Sequence, residues 1–413
     1  MFNGVCKYNA THRFARFRTK SQSPETFRIL ALSCDRPSRL LLGQQNPWMH
    51  ILNRACSKGR HPVNTVLHIG DQIYPNDEDI ADADKIFTEI YDNLPAEKQA
   101  SMMQRGRELW RNKYRKIFST DGKVTVMSKV SNLMVWSDND VANDFTTMKN
   151  EDGTQRYHPN FLKCGMRTYR EYQRRLWDPA CSLDYGNEDV KEWHSHIYGS
   201  IGIFMFDLRG NRITRDGFQM SENSLLSAAQ WADLEEFFKT PNLRAIVLCS
   251  ETPFVGDEPK VCKQKVKECL DMSLLRDHWP FNEDELIRLL DLCFSWKAMG
   301  EKSGIDKDVL LIGGDIHCGV TSVIRDDETA LQITHLTTSP VTNHVCKYFP
   351  PLFGNISERY NFSHLPLGRK FRNYADIFIN IDEEDVFIQS KLIPISTDIF
   401  KNETWTSRMD DDV

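Results

Sequence analysis

The sequence predicts an α/β fold. Short apolar runs alternate along the chain with longer stretches of helical periodicity, the pattern of strands joined by helices. Four of those runs end on acidic or soft ligand chemistry: FRILALSCD, VLHIGDQIY, LMVWSDNDVAND and VLLIGGDIHCG. A hydrophobic strand needs no carboxylate at its exit, and a buried carboxylate is costly unless it is paired or coordinates a metal. One such exit is ordinary turn chemistry; four point to a metal site.

In chain order, the first strand is Phe27–Leu32, followed by a helix carrying Trp48, Ile51, Leu52 and Ala55 on one face. Thr65–Ile69 is the second strand. Helical segments around Ile86–Asn93 and Arg105–Phe118 lead to the third, Asn132–Trp136. Residues 146–192 are charged, aromatic and irregular, and read as a lid or insertion, as do residues 340–372. A hairpin spans His194–Ser200 and Ile201–Phe206. Ser227-Ala-Ala-Gln230 reads as a capping box opening a helix through Trp231, Leu234, Phe237 and Phe238. Ala245–Cys249 is a strand, and Asn282 caps a long amphipathic helix through Leu286, Leu289, Leu290, Cys293 and Trp296. Val309–Ile312 and Leu331–Leu336 are strands, and Ile377–Ile381 with Val386–Leu392 forms a closing hairpin. Its turn, Asp382–Asp385, lacks the glycine and ligand spacing of a calcium loop.

With no internal repeat or long linker, residues 27–400 read as one domain, preceded by an arm (1–26) and followed by an acidic tail (401–413). The 413 residues, 40% hydrophobic and 11% aromatic, suit a folded protein. A net charge of −6 offers no nucleic-acid footprint. The basic stretches Arg105–Lys116 and Arg167–Arg175 read as solvated helix faces. The 11 cysteines are scattered, and there is neither a leader-like apolar segment nor a run of about 18 apolar residues. A reducing cytoplasmic setting and an absence of spanning helices are therefore expected. Oligomeric state is not legible.

Gly70-Asp71 and Gly314-Asp315-Ile316-His317 carry the sharpest chemistry. Glycine before the aspartate permits a tight turn at a strand end, where ligands of open α/β sheets collect. One aspartate there can bridge two cations, which suits in-line displacement at phosphorus by a metal-activated hydroxide.

At these positions the chain resembles the alkaline phosphatase D branch of the calcineurin-like metallophosphatases. The similarity runs from Phe27 to Leu392. It rests on Ser33-Cys34-Asp35, Leu67–Tyr74, Trp136–Asn143, Phe206–Arg212, Gln230-Trp231, Gly313–His317, Thr338-Ser339-Pro340 with Asn343, and Arg372–Ala375. The resemblance implies a four-layer α/β/β/α sandwich with two mixed sheets and a binuclear centre, most simply Fe3+ and Ca2+. Its metal ligands fall on Cys34, Asp35, Asp71, Tyr74, Asp138, Asn143, Asp315 and His317, and its catalytic positions on Asn139, His317 and Arg209. Arg209 and Arg212 would grip phosphate or form core ion pairs.

The third block departs from the family's Trp-Asp-Asp-His-Asp/Glu: Ser137 replaces a carboxylate and Asn139 a histidine. Asparagine donates a hydrogen bond but supplies no proton, so His335 and His344 are candidates to stand in. The expected function is hydrolysis of a phosphorylated small molecule, as phosphatase or phosphodiesterase. The alternative is a catalytically weakened relative that binds a phosphorylated ligand or protein. A cysteine-based phosphatase lacks its C-x5-R loop, and Gly300-Glu-Lys-Ser303 lacks the spacing of a nucleotide-binding loop.

Overall fold

The apolar runs become two sheets whose strand ends meet along one edge. The computed structural model describes residues 26–41, 44–56, 61–75, 78–143, 157–183, 191–210, 224–268, 276–346, 351–365, 371–383 and 385–395. The acidic tail, nearly all of the N-terminal arm, and Arg212 lie outside them.

The first sheet contains β1 (Thr26–Leu32), β2 (Thr65–Ile69), β3 (Ser131–Val135), β12 (Arg372–Ile381) and β13 (Val386–Ile395). Its order is β13-β12-β1-β2-β3; β1, β2 and β3 run parallel, and the closing hairpin is antiparallel. The second sheet has eight strands: β4 (His194–Tyr198), β5 (Ile201–Met205), β6 (Ala245–Cys249), β7 (Asp308–Gly313), β8 (Val320–Asp326), β9 (Gln332–Thr337), β10 (Phe353–Asn355) and β11 (Tyr360–Leu365). Its order is β10-β11-β8-β9-β7-β6-β5-β4, with β5, β6, β7 and β9 parallel.

One apolar core joins the sheets face to face, with Ile29, Leu67, Val135 and Ile377 on one side and Ile203, Val247, Leu310 and Leu336 on the other. The outer face of the first sheet packs Leu30, Leu32 and Val66 against Trp48 and Ile51 of α1 (Pro47–Ala55) and Val126 of α4 (Lys123–Lys129). On the outer face of the second sheet, α6 (Ala228–Phe238) and α8 (Glu283–Ser303) bury Trp231, Leu234, Leu286 and Leu290. Helix, sheet, sheet, helix is the four-layer sandwich.

At the carboxyl ends of the parallel strands the sheets are laced together. Val341 N donates to Ser33 O at 2.9 Å, Thr338 Oγ1 to Ala31 O at 3.1 Å and Ser33 Oγ to Thr338 O at 2.7 Å. A Cβ on Gly314 would lie 2.7 Å from Ile69 O, so only glycine lets the sheets approach this closely.

Several boundaries move, and one segment changes character. α2 spans Glu78–Ile90 and α3 Ala96–Phe118. The stretch read as irregular contains α5 (Pro159–Tyr172), whose buried face, with Phe161, Leu162 and Met166, is hidden in sequence by interleaved charge. The second basic stretch is solvated only in part. Arg170 and Arg174 are buried, Arg170 pairing with Glu192 at 2.6 Å and Arg174 stacking 3.4 Å over Trp177. The capping box at Ser227 is half made: Ser227 accepts from Gln230 N at 3.1 Å, while the Gln230 side chain bonds Asp207 instead. Among the described residues no helix is long and apolar enough to cross a membrane.

Candidate metal centre

Three of the four ligand-bearing strand ends, those of β1, β2 and β7, leave the sheet through left-handed residues. Cys34 (φ 60°), Asp71 (φ 59°), Asp315 (φ 67°) and His317 (φ 53°) all hold positive φ, a region uncommon for residues with a Cβ and typical of strained functional sites. Gly70 (φ 76°) precedes Asp71, and a Cβ there would meet Ser137 Cβ at 2.7 Å. The turns aim the side chains into one space instead of onto opposite faces.

Two trios result. Ligand atoms of Cys34, Asp71 and His317 lie within 4.8 Å of one another, as do those of Asp71, Asp138 and Asp315. Asp71 belongs to both. Tyr74 OH donates to Asp71 Oδ2 at 2.6 Å and sits 3.2 Å from His317 Nε2. Cys34 Sγ lies 3.4 Å from Asp71 Oδ2 and accepts from Ser339 Oγ at 3.0 Å.

Electrostatics make this arrangement costly as it stands. Burial, then Cys34, Asp138, Asp315 and Asp140, hold Asp71 well above the ordinary carboxylate range. Burial pushes the Cys34 thiol up to about 11, with Asp315 adding to it, and burial followed by Asp71 and Cys34 raises Tyr74. Meanwhile Asp71 Oδ1 is buried with no hydrogen-bond partner. A cluster of three carboxylates, a thiol and a phenol, with one orphaned acceptor at its centre, fits bound cations.

A model of the PhoD-like phosphatases matches residues 29–361. The chain belongs to the PhoD-like phosphatase family. Membership makes it a metal-dependent phosphoesterase in general class. The solved structure of PhoD superposes with a TM-score of 0.52 at 13% identity, over 91% of this chain and 71% of that one, which shows a shared fold. Purple acid phosphatase PPD1 from yellow lupin (Lupinus luteus) seeds gives 0.48 at 9% identity, covering 91% of this chain and 53% of that one. No curated protein matches the sequence.

The other members of the expected PhoD-like site are not among the two trios. Asp35 is turned away from the trios: its carboxylate accepts from Lys123 Nζ at 2.7 Å, Trp48 Nε1 at 3.0 Å and Thr342 Oγ1 at 2.8 Å. Arg209 is buried between Glu251, at 2.7 Å, and Asp277, an ion-paired position rather than an open phosphate grip. Asn139 is buried and donates to Asp138 Oδ1 at 3.2 Å. Asn143 ends the same turn, half-buried. His335 is a core residue beside Ser322 and Phe254. His344, exposed, packs its ring 4.7 Å from that of His317.

Four residues escaped the sequence reading as contributors. Asp140 braces the backbone: its carboxylate accepts from Asp71 N (3.1 Å), Gln72 N (3.0 Å), Ser137 N (2.9 Å) and Gln173 Nε2 (2.8 Å). Gln173, just beyond α5, gives no sequence signal. Asn343 reaches His317 Nε2 at 3.1 Å; its motif block hinted at it. His278 brings Nε2 within 3.6 Å of Asp315 Oδ2 from a turn outside every motif.

Proposed function

We propose that the chain hydrolyses phosphate mono- or diesters at a binuclear centre held by Cys34, Asp71, Tyr74 and His317 on one side and by Asp71, Asp138, Asp315 and Asn143 on the other. The observation that carries this is Asp71, common to both trios and left with an orphaned buried oxygen. The softer thiol, phenol and imidazole set suits Fe3+, and the all-oxygen set suits Ca2+. Asp35 drops out of the ligand set because Lys123 occupies it. When bound, the cations supply the Lewis acidity and nucleophile activation that displacement at phosphorus requires.

The chain's own residues do the positioning. Ser137 and Asn139 hold Asp138 Oδ1 by hydrogen bonds of 3.1 and 3.2 Å. Asp140 fixes the Gly70–Gln72 turn, and Asn343 and Tyr74 bracket His317 Nε2. Arg209 holds the carboxylates of Glu251, just beyond β6, and Asp277, before α8. A separate groove of about 880 Å³ near Phe238, Pro241 and Trp296 lies at the amino ends of β5–β7, away from this chemistry.

Elemental analysis of the purified protein, with turnover of nitrophenyl mono- and diesters, tests the proposal. Asp71→Asn is expected to lower turnover on the order of 100-fold or more and to reduce bound metal, because charge and bridging are lost together. Turnover indifferent to both chelation and Asp71→Asn would overturn it. Metal retained without any turnover would favour the weakened binding protein, the reading that Ser137 and Asn139 support.

A further inference from the structure

At the end of the molecule away from the metal centre, the groove of about 880 Å³ is lined by Phe238, Pro241, Leu243, Trp296, Met299 and Ile305. It forms where the loop after α6 meets the carboxyl end of α8. Gly300 lets the turn into β7 fold back on the helix, since a Cβ there would lie 2.7 Å from Ile305 O, and Gly304 (φ 69°) caps the helix in the left-handed region. This turn leaves Ile305 47% exposed, and Met299 is 55% exposed. Apolar side chains scattered over a surface need no explanation, but a concave apolar lining marks a binding surface.

The chain itself supplies the nearest occupant. β1 begins at Thr26, paired with Asn380 of β12. Three residues beyond Asn380, Glu383 lines the groove, and the carbonyls of Asp382 and Glu383 both accept from Arg244, another lining residue. On the other flank Phe27 packs its ring 4.7 Å from Tyr198, two residues before Ser200, which also lines the groove. At about 3.4 Å per strand residue, the start of β1 stands roughly 10–15 Å from the groove. The far end of the described chain is remote: Ile395 pairs with Arg372, at the metal-bearing end of β12, roughly 30 Å away.

The 25 residues before Thr26 carry Phe2, Tyr8, Phe14 and Phe17, with Glu25 as their one acidic residue. Aromatic side chains bring a large apolar area for each residue ordered. From Phe17 to Glu25 an extended chain spans up to about 30 Å, more than the gap to be bridged.

We propose that this groove is the docking site of the chain's own N-terminal arm, with Phe14 and Phe17 seated against Trp296, Met299 and Ile305. The docked arm covers the two exposed apolar side chains and ties the first strand to α8.

The test uses the full chain. With a photoreactive benzoylphenylalanine in place of Phe17, illumination of dilute protein is expected to give intramolecular crosslinks to residues 238–244 or 296–305, located by mass spectrometry. Ile305→Lys, at a half-exposed position that tolerates lysine, is expected to lower their yield about 3-fold or more by placing a charge in the apolar seat. In a Phe14→Ser, Phe17→Ser double variant, backbone amides of residues 239–244 and 299–307 are expected to exchange hydrogen about 3- to 10-fold faster than in wild type. Crosslinks that join two copies of the chain, fall on another surface or fail to form would overturn the inference. So would amide exchange that the double substitution leaves unchanged.

Discussion

Asp35 and Asp71 each follow a strand end and each is buried, yet their surroundings assign them opposite work. Lys123, with 0% of its side chain exposed, neutralises Asp35, whereas among the described residues no ion pair reaches Asp71. Removing one member of a buried pair leaves an uncompensated charge, so Lys123→Met is expected to lower the unfolding free energy by about 3–5 kcal/mol in chemical denaturation. Asp35→Asn should likewise destabilise while leaving bound metal per folded molecule unchanged, which elemental analysis would read directly. Loss of metal in Asp35→Asn at full folding would return Asp35 to the ligand set. The pairing was not legible in the sequence for a plain reason: Lys123 lies 88 residues downstream on a helix where a lysine looks solvated. His278 was illegible for the complementary reason. It follows no strand, and its place beside Asp315 is set by Arg209 and Ser250, which anchor its neighbours.

Elements were legible where burial was one-sided or complete. β2, β6 and β7 are apolar nearly throughout because both faces are covered, and they read directly from their apolar runs. β8 and β11, with sequences VTSVIRD and YNFSHL, alternate buried and open positions with polar residues on both faces, so their period is blurred. α5 was hidden by its basic residues, though it is the element that carries the brace to the site. It packs on α3, and Trp110 of α3 donates to Val141 O at 3.0 Å, beside the turn bearing Asp138 and Asp140. Gly165 of α5 makes this approach possible, since a Cβ would lie 2.9 Å from Trp110 Cε2 and 3.0 Å from Val141 Cγ1. Gly165→Ala gains about 0.5–1 kcal/mol in helix propensity but overpacks at about 1–3 kcal/mol. Net destabilisation is expected, together with weaker metal retention as Val141 shifts. A gain in stability would show that the α3–α5 contact yields easily.

Across the whole molecule, burial of titratable groups ties stability to pH on both sheets. His68, on β2, is fully buried between Gln72 and Asn132, and burial, then Lys123, lowers its pKa to about 4. His335, on β9, is fully buried beside Ser322 and Phe254, and burial, then His364, lowers its pKa to about 3. Both are neutral in the folded state, while in the unfolded chain each takes up a proton near the ordinary histidine value of about 6.5. Below that pH the unfolded state binds more protons, so stability is complete above about 6.5 and declines as pH falls, until the folded-state values are reached. Each histidine contributes a slope of about 1.4 kcal/mol per pH unit inside its window. Unfolding free energies measured between pH 7 and pH 4.5 are expected to fall with acid, and His335→Gln should flatten the curve by one such share. The metal centre shares the direction, because its ligands must deprotonate to bind, so the comparison belongs to chelated protein. A His335→Gln curve parallel to that of wild type would mean that His335 is protonated, or released from the core, before the fold is lost.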